Sequence, residues 1–416
     1  MKPLHTLSAL VGALPPDRGI VIHSAAAHPT VLGRRLAEEA GALRGRRLFT
    51  LMPLGPVAYA DAPARDAFDI VTFLPGAALR PALDAGRVTA SRQPLSEVAQ
   101  AFSRGEYKAG AVLLRTSPPD ASGRVCLGVA VDYMPAAIEH AQVVVAEIDP
   151  HMPRTCGGSW IDGRRIDAYV DAEDGPHTLP AAPADPTDQA IATHVASLVE
   201  DGATLQLGVG SLPDQVLARV GHLRHLGLHT GIIGEGAQAL IERGVVDNSR
   251  KECFAGVSVA TMALGSASFY SFLDRNTAVE LQPCTLTHDA AALRMLSRLT
   301  CVNSALQVGL DGRVNAEWAG TRRVAVPGGL TDFARAASSL PLGKSIVALR
   351  STDRTGASTI VPSLRADVPA SLEPHEVDFF VTEHGVAAVR GCSADERRRA
   401  LAAIAHPSHR EQLARP

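Results

Sequence analysis

The stretch LHTGIIGEG (228–236) holds three glycines in six residues around one carboxylate, Glu235. So much glycine lets a ligand come close to the backbone. A lone carboxylate in such a loop can be a nucleophile, a general base, or a charge at a helix N-terminus with no chemistry. Other groups of this kind recur. Glu317 lies between small residues in GRVNAEWAG, and Thr382, Glu383 and His384 stand where the apolar run FFV ends. Ligands of parallel α/β sheets bind beyond the carboxyl ends of strands, which makes Glu383 a site candidate, although such a carboxylate as often caps the next helix. His225 and His229 are four apart, but Gly227 between them breaks the helix a two-histidine metal face needs, so no metal is expected.

Two glycine turns read as strand-to-helix junctions. In LQLGVGSLPDQVL a strand runs into Gly208 and Gly210, and Pro213 stands early in the following helix. A helix N-terminus among small residues suits an anion or a carbonyl oxygen. The dinucleotide pattern G-x-G-x-x-G fails, because Pro213 replaces its third glycine. In VAVPGGLTDFARAA a strand meets Gly328-Gly329, and Leu330, Thr331 and Asp332 open a helix. Backbone N–H groups at such a turn can serve as oxyanion donors; the plainer reading is a β-to-α turn with Asp332 as N-cap. RTSPPDASGRVCLGVAVDY places a Pro-Pro-Asp turn after a strand, where a loop can shape a substrate mouth or merely turn.

The elements that must position these groups alternate along the chain. GIVIHSA, RLFTLMPL, DAFDIVTFLP, AGAVLLRTS and AQVVVAEID are near-continuous aliphatic runs, as expected of parallel strands buried on both faces. Helical spacing lies between them, as in PTVLGRRLAEEAGAL and LSEVAQAFSRGE. Residues 171–190 are rich in Pro, Ala and Asp without apolar period, and read as a linker. A second series of strands and helices follows. The expected architecture is α/β, two related open domains with mostly parallel sheets, over 1–180 and 190–416.

Composition narrows the partners. With 40 Lys and Arg against 43 Asp and Glu, and no long run of one sign, nucleic-acid and membrane-surface binding have no electrostatic support. Six scattered cysteines without a C-x-x-C pair fit reduced thiols rather than a zinc site or a disulfide framework. The opening MKPLHTLSALVGALPP reads as a helix of a cytoplasmic protein, not a signal peptide, and no apolar run is long enough to span a membrane.

Taken together, the chain resembles the acetyl-CoA hydrolase/4-hydroxybutyrate CoA-transferase family, the class I CoA transferases, over nearly its whole length. The carriers are LLRTSPPDASGRVCLGVAVDY, VVVAEIDPHMPRT, LQLGVGSLPDQVL, HTGIIGEGAQALIERGVV, NSALQVGLDGRVNAEWAG, PGGLTDFARAA, GKSIVALRST and FFVTEHGVAAVRG, in order and at matching spacing. The resemblance implies two α/β domains with the active site between them, a coenzyme A thioester as substrate, no permanently bound cofactor, and the dimeric state common in the family. It also implies CoA-binding or oxyanion roles for Gly208, Gly210, Gly328, Gly329, Leu330 and Lys344.

The family's reaction passes through a glutamyl-CoA thioester, and its nucleophile is the Glu of an H-T-E or H-S-E triplet. Here the triplet is His229-Thr230-Gly231, so Gly231 marks a lost nucleophile; Glu235 falls where the family has Asp, and Leu330 where it often has Gln. Glycine cannot form the covalent intermediate. Three functions stay open. One is thioester chemistry without that intermediate (hydrolysis, acyl transfer to an amine or alcohol, or cyclisation), with Glu235, His229, Glu317 and Glu383 as candidate bases. Another is CoA transfer between carboxylic acids with a relocated carboxylate such as Glu235. The third is a catalytically silent acyl-CoA-binding homologue. Trp318, and Phe379 with Phe380, would narrow the pocket if they face it, and pack the core if they do not.

Overall fold

The computed structural model describes residues 1–180, 183 and 185–414. It falls into two units: Met1–Pro180 with Ala260–Thr287, and Ala181–Val259 with His288–Pro416.

The first unit is built on an eight-stranded sheet. Its strands pair in parallel throughout, in the order Lys2–Pro3, Ala168–Asp171, Val143–Ile148, Ala109–Thr116, Gly19–Ile22, Arg47–Thr50, Asp69–Thr72, Val88–Ala90. Every residue of Gly19–Ile22 and of Ala109–Thr116 is buried, which is why neither run alternates polar with apolar. On one face Ile20, Ile22, Leu113 and Val145 meet Leu32 and Leu36 of the helix Thr30–Glu38.

A buried charge cluster closes the carboxyl end of this sheet. Arg115, wholly buried, pairs with Asp149 at 2.9 Å and Asp174 at 2.8 Å. Glu147 lies 3.8 Å from the same guanidinium. Its Oε2 accepts from the backbone N–H groups of Val31 and Leu32 at 2.8 and 3.1 Å, at the start of the helix Thr30–Glu38. Burial pushes the Glu147 carboxyl up to about 7, against the pull of Arg115.

The division of the sequence at 180/190 does not anticipate that Ala260–Thr287 joins the first unit. The segment is held there by backbone bonds to loop residues: Val131 N–H to Thr261 O at 3.0 Å, Ala263 N–H to Val129 O at 2.8 Å, and Cys284 N–H to Asp132 O at 2.9 Å. Non-local pairings of this sort leave no periodic mark on the sequence.

The second unit carries a six-stranded sheet in the order Gly227–Leu228, Thr204–Gln206, Leu299–Ser304, Lys344–Ala348, Phe379–Thr382, Gly385–Ala388. The first five pair in parallel and the last two form an antiparallel hairpin. Phe380 is fully buried in the core with Val347, Leu349 and Leu401, so it packs rather than lines a pocket.

Two expectations need correction. Residues 181, 182 and 184 of the expected linker lie outside the described residues, but its end is helical: Pro186–Ala196 begins there, and the Asp185 carboxylate accepts from Thr187 N–H at 2.8 Å. A Pro- and Asp-rich run that looks like a linker is also the signature of a capped helix start. The strand expected before Gly328 is absent from 324–327; Val324 and Ala325 N–H instead donate to the Glu317 carbonyl, at 2.7 and 3.2 Å. Among the described residues, no helix is long and apolar enough to cross a membrane.

Candidate active site

The loop 228–236 leaves the edge strand of the second sheet and is tied down from several sides. Leu228 N–H donates to Asn248 Oδ1 and the Leu228 carbonyl accepts from Lys251 Nζ, at 2.8 and 2.9 Å. His229 N–H bonds Leu205 O at 3.0 Å, and Thr230 Oγ1 donates to Leu207 O at 2.6 Å. Thr230 thereby joins this loop to the Gly208–Gly210 turn. Gly210, at φ +118°, caps the helix Ser211–Arg219, a backbone conformation only glycine adopts readily.

Glu235 is the first residue of the helix Glu235–Glu242. Beside it stands Asp214, in the first turn of Ser211–Arg219, which the sequence reading did not single out. Burial raises the Asp214 carboxyl above its ordinary value, and the charge of Glu235 raises it further. Two carboxylates thus share one neighbourhood, each at a helix N-terminus.

Gly231 and Gly329 converge on one ring. A Cβ at position 231 would lie 3.2 Å from His288 Nε2, and a Cβ at position 329 only 2.6 Å from the same atom. His288 is 2 % exposed and its ring meets Phe333 edge-on at 4.9 Å. Burial, and secondarily His229, pushes its pKa down to about 3, so the imidazole is uncharged at neutral pH. Gly329, not Asp332, is the N-cap of the helix Leu330–Ser339; Asp332 sits in its first turn. Gly328 takes φ +55° to make the turn. The N–H groups that open this helix have no intrahelical carbonyl to bind, as an oxyanion site requires.

With this geometry in view, the comparisons with known proteins are decisive. The model of the acetyl-CoA hydrolase/transferase N-terminal domain matches residues 5–175, and that of the corresponding C-terminal domain matches 265–416. The chain belongs to the acetyl-CoA hydrolase/transferase family. It is 32 % identical over 413 residues to 4-hydroxybutyrate coenzyme A transferase of Clostridium kluyveri, covering 99 % of this chain and 96 % of that one. It is 31 % identical over 407 residues to a succinyl-CoA:acetate/propanoyl-CoA:succinate CoA transferase of Fasciola hepatica, covering 97 % and 85 %. Among solved structures, RipA from Yersinia pestis superposes with a TM-score of 0.92 at 28 % identity, over 99 % of this chain and 96 % of that one. A 4-hydroxybutyrate CoA-transferase from Porphyromonas gingivalis gives 0.80 at 28 % identity, over 98 % and 95 %.

Three of the residues expected at the family's site, Glu317, Glu383 and Lys344, hold hydrogen-bond partners within the fold. Glu317 is 1 % exposed, and its carboxylate accepts from Arg323 Nη2 at 2.8 Å and from Ser371 Oγ at 3.0 Å. Glu383 accepts from Ser351 N–H at 3.0 Å and Ser351 Oγ at 2.6 Å. Both act as clasps between chain segments. Lys344 Nζ donates to Leu198 O at 2.7 Å and Glu200 at 2.6 Å. Both partners precede the strand Thr204–Gln206, so Lys344 is drawn toward the amino end of the sheet, while Gly208 and Gly210 lie past its carboxyl end. Trp318 belongs to the small hairpin Trp318–Ala319/Arg322–Arg323 and is half-buried.

In the first unit the Pro-Pro-Asp loop behaves in two ways. Asp120 is turn chemistry: its Oδ1 accepts from Ser122 and Arg124 N–H at 2.8 and 3.0 Å. Pro118 lines a cavity of 660 Å³ with Met152, Arg154, Pro176 and Tyr270. The cavity lies past the carboxyl ends of Ala109–Thr116, Val143–Ile148 and Ala168–Asp171, where α/β sheets take their ligands.

His288 is the residue the sequence reading missed. It sits in LTHDA, a motif with no spacing signal, and only folding brings it to Gly231 and Gly329.

Proposed function

We propose that this family member processes acyl-CoA thioesters without a glutamyl-CoA intermediate, the acyl group passing directly to water, to an amine or alcohol, or to a nucleophile within the substrate. The observation that carries the reading is position 231. The residue there is glycine, and the three atoms nearest to where its Cβ would be belong to His288 and Phe333, neither of them a carboxylate. The Gly328-Gly329 turn and the helix start behind it supply donors for a thioester oxygen. Glu235, half-exposed at its own helix start, is the base we assign to the attacking nucleophile.

The Asp214–Glu235 neighbourhood favours one second reading. A carboxylate relocated to 235 would take CoA from one acid and pass it to another. Incubating the protein with a panel of acyl-CoA esters, with and without acetate, separates the two by mass spectrometry. Free CoA that is independent of acetate, with no protein adduct, is the expected result. Acetyl-CoA formed from acetate, together with a CoA adduct on the protein, would overturn it. No turnover at all would leave a silent acyl-CoA binder.

A further inference from the structure

Within the first unit the loop VAVDY (129–133) meets the segment Ala260–Thr287 along a seam of backbone contacts. Val131 and Asp132 N–H both reach Thr261 O, Ala130 bridges Met262, Ala263 N–H returns to Val129 O, and Cys284 N–H ends on Asp132 O. The segment also carries one wall of the 660 Å³ cavity, through Ala267, Tyr270, Ser271 and Asp274.

The Asp132 side chain is wholly buried at this seam. Its Oδ1 accepts from Tyr133 N–H, and its Oδ2 makes no hydrogen bond. Ser24 Oγ and Tyr133 OH stand near enough to interact with the carboxyl, yet neither makes a direct hydrogen bond. The groups that bear on Asp132 are Ser24 and the backbone N–H of Tyr133 and Met134, with no Lys, Arg or His among them. Tyr59 and Cys284 act on the Tyr133 hydroxyl in turn, and a phenol or a thiol supplies no positive charge. His23 enters the same loop, its Nε2 2.8 Å from Ala130 O, but burial holds it at about 4 and so uncharged. An ionised carboxylate at 132 is therefore buried without a counter-charge, which is far costlier than a neutral carboxyl. Its backbone stands at φ +29°, uncommon for a residue with a side chain, so the loop relaxes on leaving the seam.

We propose that Asp132 is a proton-operated latch: with its carboxyl neutral the seam to Ala260–Thr287 stays closed, and as the proton is lost the segment opens locally, taking the cavity wall with it. The sign follows from where the proton sits. Burial raises the closed carboxyl to about 7 from the ordinary 3.8, and water restores the ordinary value once the seam opens. Between those values the closed form keeps a proton that the open form has released, so each pH unit of rise favours opening about tenfold. Above 7 both forms are ionised and the dependence levels off. The latch needs no turnover and does not depend on the reaction proposed above.

The test is amide hydrogen exchange of the full chain between pH 5 and 8, corrected for the intrinsic pH dependence of chemical exchange. Protection of the seam amides Val131, Ala263 and Cys284 is expected to fall about a hundredfold from pH 5 to 7 and then to level. These amides are expected to exchange through an easier opening than Val112, Leu113 and Leu114 in the core strand. Asp132→Asn, which keeps an acceptor for Tyr133 N–H and cannot ionise, is expected to flatten the seam profile. Glu147→Gln, which removes the other carboxyl raised to about 7, is expected to leave it sloping. Ser24→Ala removes a group that favours the carboxylate, so it is expected to carry the slope to higher pH even should Asp132→Asn fail to fold. A seam profile that neither Asp132→Asn nor Ser24→Ala changes, or one that Glu147→Gln flattens, overturns the latch. Equal protection for seam and core strand also overturns it, because Asp132 would then act on overall stability alone.

Discussion

Glu317 receives Arg323 through two nitrogens, Nη2 at 2.8 Å and Nε at 3.2 Å, while Ser371 holds its other oxygen at 3.0 Å. A carboxylate so occupied fixes the hairpin Trp318–Ala319/Arg322–Arg323 and has little left for proton transfer. Glu317→Gln should therefore cost stability, about 2–4 kcal/mol, somewhat less than the loss of a fully buried pair because Arg323 keeps some solvent. Thermal and urea unfolding measure it. A variant that is stable but inactive would make Glu317 a catalytic group after all.

Glu235→Gln should cost about 10²–10⁴ in turnover if the residue activates the nucleophile. The same substitution should let the Asp214 carboxyl fall back toward its ordinary value, because the charge of Glu235 is part of what raises it. Rate assays and carboxyl titration by NMR read the two effects separately. A wild-type rate removes Glu235 from the mechanism, whatever happens to Asp214.

Acid stability should change with His288. Its folded value, about 3, lies below the ordinary 6.5. Between those values the unfolded chain binds a proton that the folded protein does not, so this residue lowers stability as pH falls from 6.5 toward 3 and contributes nothing above. His23 and His28, at about 4 and about 3, act in the same direction. Asp132 and Glu147, both raised to about 7, act oppositely: the protons they keep only in the folded state are lost as pH rises through 7. The informative quantity is therefore wild type minus His288→Asn. That difference should be flat above pH 6.5 and slope by up to one proton below it. A parallel pair of stability curves down to pH 4 would contradict the assigned state of the ring.

Lys344→Ala should leave KM for acyl-CoA unchanged and lower stability by at most about 1 kcal/mol, since its ammonium is committed to Leu198 O and to the exposed Glu200. A rise in KM would restore the coenzyme role that the family pattern implies.

The fold was legible because its strands are buried on both faces. Runs such as AGAVLLRT and GIVI can be little else, and the glycine turns at 208–210 and 328–329 mark where helices begin. Glu235 at a helix start was also within reach of sequence reasoning. His288 was not, because nothing in its own neighbourhood is periodic or catalytic in composition, and its meaning comes from two glycines 57 and 41 residues away (288 − 231 and 329 − 288). Nor were the clasps of Glu317 and Glu383, since a carboxylate at a strand end looks the same whether it faces a substrate or a serine.

The membership of Ala260–Thr287 in the first unit bears on how the protein is made. A ribosome releases the first 180 residues long before the segment that bonds to Val129, Val131 and Asp132. The first unit must wait, incomplete, until roughly a hundred more residues have been translated, while domains that are continuous in sequence can fold as they emerge. No single cut yields two finished halves: a fragment ending at 180 lacks its closing segment, and one starting at 181 carries that segment with nothing to close.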